Sequence, residues 1–158
     1  MSGTELDPDT AKVAIRLSVA ISRLRSRLRV EAGITKTALS ITQLSVLQRL
    51  LDGGPTTAAS LSALEHVSQQ AISQSLATLK KAGLVESTTD PTDGRKNLIH
   101  VTAAGRDLLD KLTRSREAWL MKAIDAIIEK EERSSVDTMI EFLERLAEAD
   151  LSPDVDIR

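Results

Sequence analysis

The stretch Ser68–Val101, SQQAISQSLATLKKAGLVESTTDPTDGRKNLIHV, constrains this chain more than any other. Ile72, Leu76 and Leu79 recur at i, i+4 and i+7, which predicts a helix with one apolar face. Ser68 supplies an N-cap hydroxyl, and Gly83 supplies a residue that takes the left-handed conformation closing a helix. Leu84-Val85 and Leu98–Val101 predict the arms of a short β-hairpin. They are joined through Asp90-Pro91-Thr92-Asp93-Gly94-Arg95-Lys96, a run of turn formers with two adjacent cations. A polar-faced helix followed at once by a basic-tipped hairpin has the outline of a winged helix-turn-helix, a device for reading DNA.

With the apolar triplet inward, the opposite side carries Gln70, Ser73, Gln74, Ala77 and Lys81, with Ser68 and Gln69 at the helix start. No carboxylate falls between Ser68 and Val85, where one would repel phosphate. Gln pairs bidentately with adenine in the major groove, Ser reaches several base edges, and a methyl such as that of Ala77 touches thymine. In the hairpin tip, Arg95 and Lys96 suit the minor groove, whose negative potential attracts long cations. Asp93 is expected to orient the Arg95 guanidinium through paired hydrogen bonds. Each feature also has a plainer reading: a surface helix that lacks acids by chance, and an exposed ion pair of little energy.

The run LKKAGLVESTTDPTDGRKNLIHVTAAGRDLL, Leu79–Leu109, resembles the MarR family of bacterial regulators. That family shows a leucine-rich end to its recognition helix, a G-L-V entry to the wing, a D-x-x-D-x-R tip, and L-T-x-x-G opening a long helix. Matching positions are Leu79, Gly83-Leu84-Val85, Asp90, Asp93, Arg95, Val101-Thr102 and Gly105. Two positions depart from the pattern. Ser87 stands where a basic residue is common, and Glu65-His66 replaces the usual glycine in the first bend of the helix-turn-helix. The resemblance implies a triangular homodimer. It also implies a small, often phenolic, anion bound in a crevice between the dimer helices and the DNA-binding lobe. Arg16 and Arg23 are the candidate partners of such an anion and Trp119 a candidate wall; the plainer reading has the arginines solvated or ion-paired and Trp119 in the core.

Composition agrees with a mainly helical fold. Of 158 residues 41% are hydrophobic, yet Trp119 and Phe142 are the only aromatics, so the core must be aliphatic. Cysteine is absent, which excludes disulfides, thiolate zinc sites and thiol-based oxidant sensing. No segment reads as a signal peptide or a membrane span, making the cytoplasm the expected location. The net charge of −2 is unevenly spread. Lys12–Lys36 holds seven bases against Glu31 alone, whereas Glu117–Arg158 holds twelve acids against five bases. DNA affinity should therefore rest on a few placed cations, giving a modest salt slope.

In chain order, Met1–Pro8 reads as a lead-in. From Asp9 the residues Val13, Leu17, Ala20, Ile21, Leu24 and Leu28 mark one face of a helix ending near Gly33, arginine-rich on its other side. Thr42 is the expected N-cap of a helix with Leu44, Leu47, Leu50 and Leu51, stopped at Asp52-Gly53-Gly54-Pro55. Thr56 or Thr57 opens a short positioning helix with Leu61 and Leu64, ahead of the turn at Glu65–Val67. Thr102 caps a long helix through Ile128, and Ser134 with Asp137 resembles a capping box before a last helix with Val136, Met139, Ile140, Leu143 and Leu146. The tail from Leu151 is polar. The expectation is one domain over 1–158: a winged lobe at 38–101 and dimerisation helices at 9–33 and 103–150. Their apolar stripes exceed what a small lobe covers, so burial in a homodimer is expected.

Catalytic chemistry has no foothold. His66 and His100 lack partners for a metal or general-base role, and no paired carboxylates in a cleft, activated nucleophile or phosphate-binding loop is apparent. No cofactor, metal or enzyme activity is expected. The leading expectation is a homodimeric regulator, a repressor of a pseudo-palindromic operator relieved by a small organic anion. A winged-helix module that binds protein instead of DNA is the alternative, and structured RNA a weaker third reading.

Overall fold

The computed structural model describes residues 7–150, so most of the expected lead-in and the tail from Leu151 lie outside the described residues. The chain divides into two units, one up to Trp119 and one from Leu120. In the first, helix α1 spans Pro8–Glu31, α2 Ile41–Gly53, α3 Ala58–Glu65 and α4 Gln69–Lys81. Strands β1 (Val85–Thr89) and β2 (Asn97–Val101) follow, then α5 (Ala103–Ile127). Pro8, placed in the lead-in by sequence, is instead the first residue of α1, behind an Asp7 carboxylate that accepts the Asp9 N–H. Its fixed φ suits that position and its missing N–H costs nothing there.

Helix starts follow side-chain chemistry. Ser40, not Thr42, caps α2: its hydroxyl accepts the Gln43 N–H at 3.2 Å while Gln43 Oε1 accepts the Ser40 N–H at 2.8 Å. The reciprocal box needs Glu or Gln three residues on, and Thr42 has only Ser45 there. Thr57 caps α3 by accepting the Ser60 N–H, and Ser68 caps α4 by accepting the Ala71 N–H, both at 3.2 Å. Gly83, at φ +70°, lets the Leu84 N–H turn back to the Leu79 carbonyl and closes α4.

The core is aliphatic, as expected. Leu47 and Leu50 of α2, Leu61 of α3, and Ile72 and Leu79 of α4 are fully buried, and Val85, Ile99, Val101 and Leu109 join the cluster. Each such side chain contributes about 1.5–3 kcal/mol by leaving water. β1 and β2 are antiparallel, with Val85 opposite Val101 and Thr89 opposite Asn97. The residue linking α2 to α3 adds a bridge that sequence patterning misses. The Thr56 N–H donates to Ile99 O at 3.1 Å and the Ile99 N–H to Thr56 O at 2.8 Å, fastening the wing's returning strand to the lobe.

Thr102 opens α5, accepting the Gly105 N–H at 3.1 Å and donating its hydroxyl to Gly83 O at 2.7 Å. Gly105 lies against the wing's entry. A Cβ there would sit 2.3 Å from Leu84 O and 2.6 Å from Val101 Cγ2.

In the second unit, the end of α5 leads through a 3₁₀ turn at Lys130–Glu132 to α6, Arg133–Glu148. The reciprocal pair Glu129 and Glu132 caps the 3₁₀ turn, α6 follows from Glu132 without a side-chain cap, and Ser134, the expected cap, lies inside α6 with its carbonyl accepting the Thr138 hydroxyl. The extended backbone of Glu129, ψ 155°, already changes the chain direction, so the helix starts earlier than the Ser134 spacing suggests. Among the described residues no helix is long and apolar enough to cross a membrane.

Gly105→Ala is expected to destabilise the protein by about 1–3 kcal/mol, the usual cost of overpacking, because backbone blocks the new methyl. Urea unfolding checks this, and an unchanged midpoint would show that α5 does not need this close approach.

Candidate nucleic-acid interface

The packing of α4 decides what it can present. Ile72, Ser75, Leu76 and Leu79 are buried, so the remaining sides face solvent. Ser68, Gln69, Gln70, Ser73, Gln74, Ala77 and Lys81 are all exposed, as is Thr78, whose hydroxyl donates to Gln74 O at 3.2 Å. The sequence pattern misses buried Ser75, a small side chain filling a place in the inward face. Lys80 and Lys81 occupy the last turn of α4 and its first turn holds no acid. The exposed side is therefore a ridge of amides and hydroxyls ending in cations.

The wing tip, Asp90–Lys96, is organised by two carboxylates. Asp90 Oδ1 accepts the Thr92 hydroxyl at 2.7 Å, the Thr92 N–H at 2.8 Å and the Asp93 N–H at 3.3 Å. The Thr92 hydroxyl bond, followed by that backbone N–H, holds the Asp90 carboxyl below its usual range; desolvation opposes the shift, while the Asp93 N–H and Lys96 add to it. Asp93 accepts the Arg95 backbone N–H at 3.2 Å and pairs with Lys96 Nζ at 3.4 Å. The expected bond from Asp93 to the Arg95 guanidinium is not formed. The two-residue spacing lets the carboxylate close an Asx turn on the backbone, and among the described residues the exposed Arg95 guanidinium has no carboxylate partner.

A cavity of about 320 Å³ lies in the same unit, bounded by α1, α2 and α5. Leu28, Leu44, Leu109 and Leu112 supply apolar wall, and Arg25, Arg29 and Arg116 contribute cations. Arg16, Arg23 and Trp119, the residues proposed from sequence, do not line it. Arg16 and Arg23 sit on exposed turns of α1, while Trp119 lies under the Arg27 guanidinium at 5.3 Å from the ring centroid. Arg25 and Arg29, one helical turn apart near the end of α1, are the pair that sequence reading passed over. Their i, i+4 spacing was visible, but which arginines would meet a crevice depends on how α1 packs.

A profile of the MarR family matches residues 33–96, from the end of α1 to the wing tip. An HTH-type transcriptional regulator of Mycobacterium bovis is 31% identical over 142 residues, covering 88% of this chain and 97% of the relative. The chain belongs to the MarR family. A regulator of Mycobacterium leprae matches at 30% over the same length. In three dimensions a transcriptional regulator from Pseudomonas aeruginosa superposes with a TM-score of 0.82 at 26% identity, covering 91% of this chain and 99% of that one. A MarR family protein from Bacillus stearothermophilus shares the fold at a TM-score of 0.72 and 19% identity, over 88% of this chain and 95% of that one. This MarR-family chain is thus a winged helix-turn-helix, DNA-binding transcriptional regulator and not an enzyme.

Asp90 fixes the tip only while ionised. Its folded-state pKa is lowered, so its contribution is complete above the ordinary carboxylate range and is lost as pH falls through the lower folded value. Asp90→Ala is expected to speed amide exchange at Thr92 and Asp93 at neutral pH and leave the unfolding midpoint almost unchanged, as for a surface site. Unchanged exchange would show that the tip is held by other contacts.

Proposed function

We propose that this regulator acts as a homodimeric repressor on a pseudo-palindromic operator. Ser68, Gln69, Gln70, Ser73, Gln74, Ala77 and Lys81 face the major groove, and Arg95 and Lys96, on a tip shaped by Asp93, face the adjoining minor groove. The observation carrying this reading is the exposed, acid-free ridge of α4, held outward by its buried opposite face. A solved S. aureus MepR variant of the same fold, at 15% identity and a TM-score of 0.66, is bound to an oligodeoxyribonucleotide. The ridge gives this chain the chemistry for the same kind of target. It also favours DNA over the alternative of a protein-binding module, because protein docking sites are built around apolar and aromatic anchors.

Dimer formation is supported by helix faces that a single chain leaves in water. In the first unit α1 exposes Val13, Ile21 and Leu24 along one side; in the second, α6 exposes Met139, Ile140, Phe142 and Leu146. A second copy covers such stripes in an interface of standard size, about 1,600 Å² in total. At about 25 cal/mol per Å² of apolar surface, that outweighs the exposed ion pairs of these helices. Two-fold symmetry then sets two recognition helices about 34 Å apart, one turn of B-DNA.

The cavity supports relief by a small organic anion. Three arginines offer bidentate donors to a carboxylate, and leucines accommodate an apolar body. With no aromatic side chain along it, aliphatic carboxylates fit at least as well as phenols. A ligand relieves repression only by binding the free and DNA-bound arrangements unequally. The sequence expectation of a cytoplasmic protein belongs to the same reading.

Duplex selection from a random pool is expected to return a two-fold consensus bound by two chains. Gln74→Ala should lose about 1–3 kcal/mol of discrimination at one base pair per half-site. Arg95→Ala should weaken every site, most where A·T flanks narrow the minor groove. A consensus without symmetry, or one unmoved by Gln74→Ala, would reject this assignment of the reading face. Sedimentation of a stable folded monomer would reject the dimer.

A further inference from the structure

The bend between α3 and α4 is made without glycine. His66 holds φ +53° and ψ +38°, the only non-glycine residue with positive φ among the described residues. That conformation strains an L-residue by bringing its Cβ close to the following carbonyl oxygen, although His tolerates it better than most. Contacts on both sides hold it. Glu65, just before His66, keeps only 10% of its side chain exposed and is ion-paired with the Arg49 guanidinium of α2. Just after His66, the Val67 carbonyl accepts the Ser62 hydroxyl at 2.6 Å. Ser68, the next residue, caps α4. The orientation of α4 against α2 and α3 is thus set by a gripped turn in place of a permissive one.

We propose that Arg49 is a positioning residue for DNA recognition: through Glu65 it fixes the bend that sets the angle at which α4 meets the groove. This rests on the reading of α4 as the DNA-reading helix. A glycine bend needs no such grip, since glycine takes the left-handed conformation without strain. Where His66 replaces it, a nearly buried carboxylate held by a guanidinium ties α2 to the turn. Removing Arg49 leaves the Glu65 charge without its partner, and the turn then relaxes so that the carboxylate regains water.

Arg49 keeps 46% of its side chain exposed, and a guanidinium there is also long enough to meet a phosphate directly. The two roles give opposite results at Glu65. Freeing Arg49 strengthens or preserves a phosphate contact, whereas it disorders a positioned turn.

The experiment uses the full chain as wild type, Arg49→Ala, Arg49→Lys, Glu65→Gln, His66→Gly and the double variant Arg49→Ala/His66→Gly. Each is titrated against a duplex selected by the wild type and against a scrambled duplex. Amide exchange at Val67 and Ala71 is followed without DNA. Arg49→Ala and Glu65→Gln are each expected to weaken the selected duplex by about tenfold, leave the scrambled one within about twofold, and speed exchange at Val67. Arg49→Lys, which keeps the charge, should fall between Arg49→Ala and wild type. Adding His66→Gly to Arg49→Ala should restore part of the lost affinity, because glycine holds the bend without strain while the Glu65 carboxylate still lacks its partner. Glu65→Gln binding as well as or better than wild type, equal losses on both duplexes, or unchanged exchange at Val67 would each overturn the proposal. A wild type that prefers no duplex at all would instead remove the reading of α4 itself, and the proposal with it.

Discussion

Burial of one side of α4 is the constraint on which the rest depends. Ile72, Leu76 and Leu79 leave water against Leu47, Leu50 and Leu61, so rotating α4 about its axis would expose several leucine-sized side chains together. Each costs about 1.5–3 kcal/mol to expose, far more than any polar contact on the outer side returns. The helix is therefore locked in azimuth, and Gln70, Ser73, Gln74 and Ala77 point outward because their neighbours must point inward. An outer face made in this way needs no ligand to form it.

The elements around α4 convert that fixed azimuth into a fixed direction. Ser68 and Gly83 set its length, the Thr56–Ile99 bridge holds the wing to the lobe, and Gly105 lets α5 pass close to the wing's entry. The cavity touches the same frame through α2, whose Ser45 and Gln48 line it one turn and one residue before the Arg49 that holds Glu65. Net charge of −2 is no obstacle to DNA binding in such a molecule, because Lys80 and Lys81 end the ridge and Arg95 and Lys96 stand on the wing. Affinity then depends on where charge lies more than on its sum.

Periodicity and turn chemistry revealed the lobe because both are local. The spacing of Ile72, Leu76 and Leu79, the Ser68 cap and the Gly83 stop are written within one helix, and the structure follows them. The outer residues of α4 follow by geometry alone. Errors came where two local signals competed. Thr42 lost to Ser40 because only Ser40 has Gln three residues on, and Ser134 lost to the Glu129–Glu132 pair. Partners distant in sequence were not legible. The Arg49–Glu65 pair joins residues on different helices, and whether Arg25 or Arg23 meets the cavity depends on how α1 turns against its neighbours. Asp93 fell between these cases: its place in the wing was readable, but its choice of the Arg95 backbone over the guanidinium was not.

The most direct test of the account is base-methylation interference on the selected duplex, which reports the two grooves separately. Methyl groups on guanine N7 obstruct the major groove and those on adenine N3 the minor groove. Two blocks of major-groove interference are expected, centred about one helical turn, roughly 10 base pairs, apart, each bordered by minor-groove interference that Arg95→Ala abolishes. A single block, or interference confined to the minor groove, would contradict it.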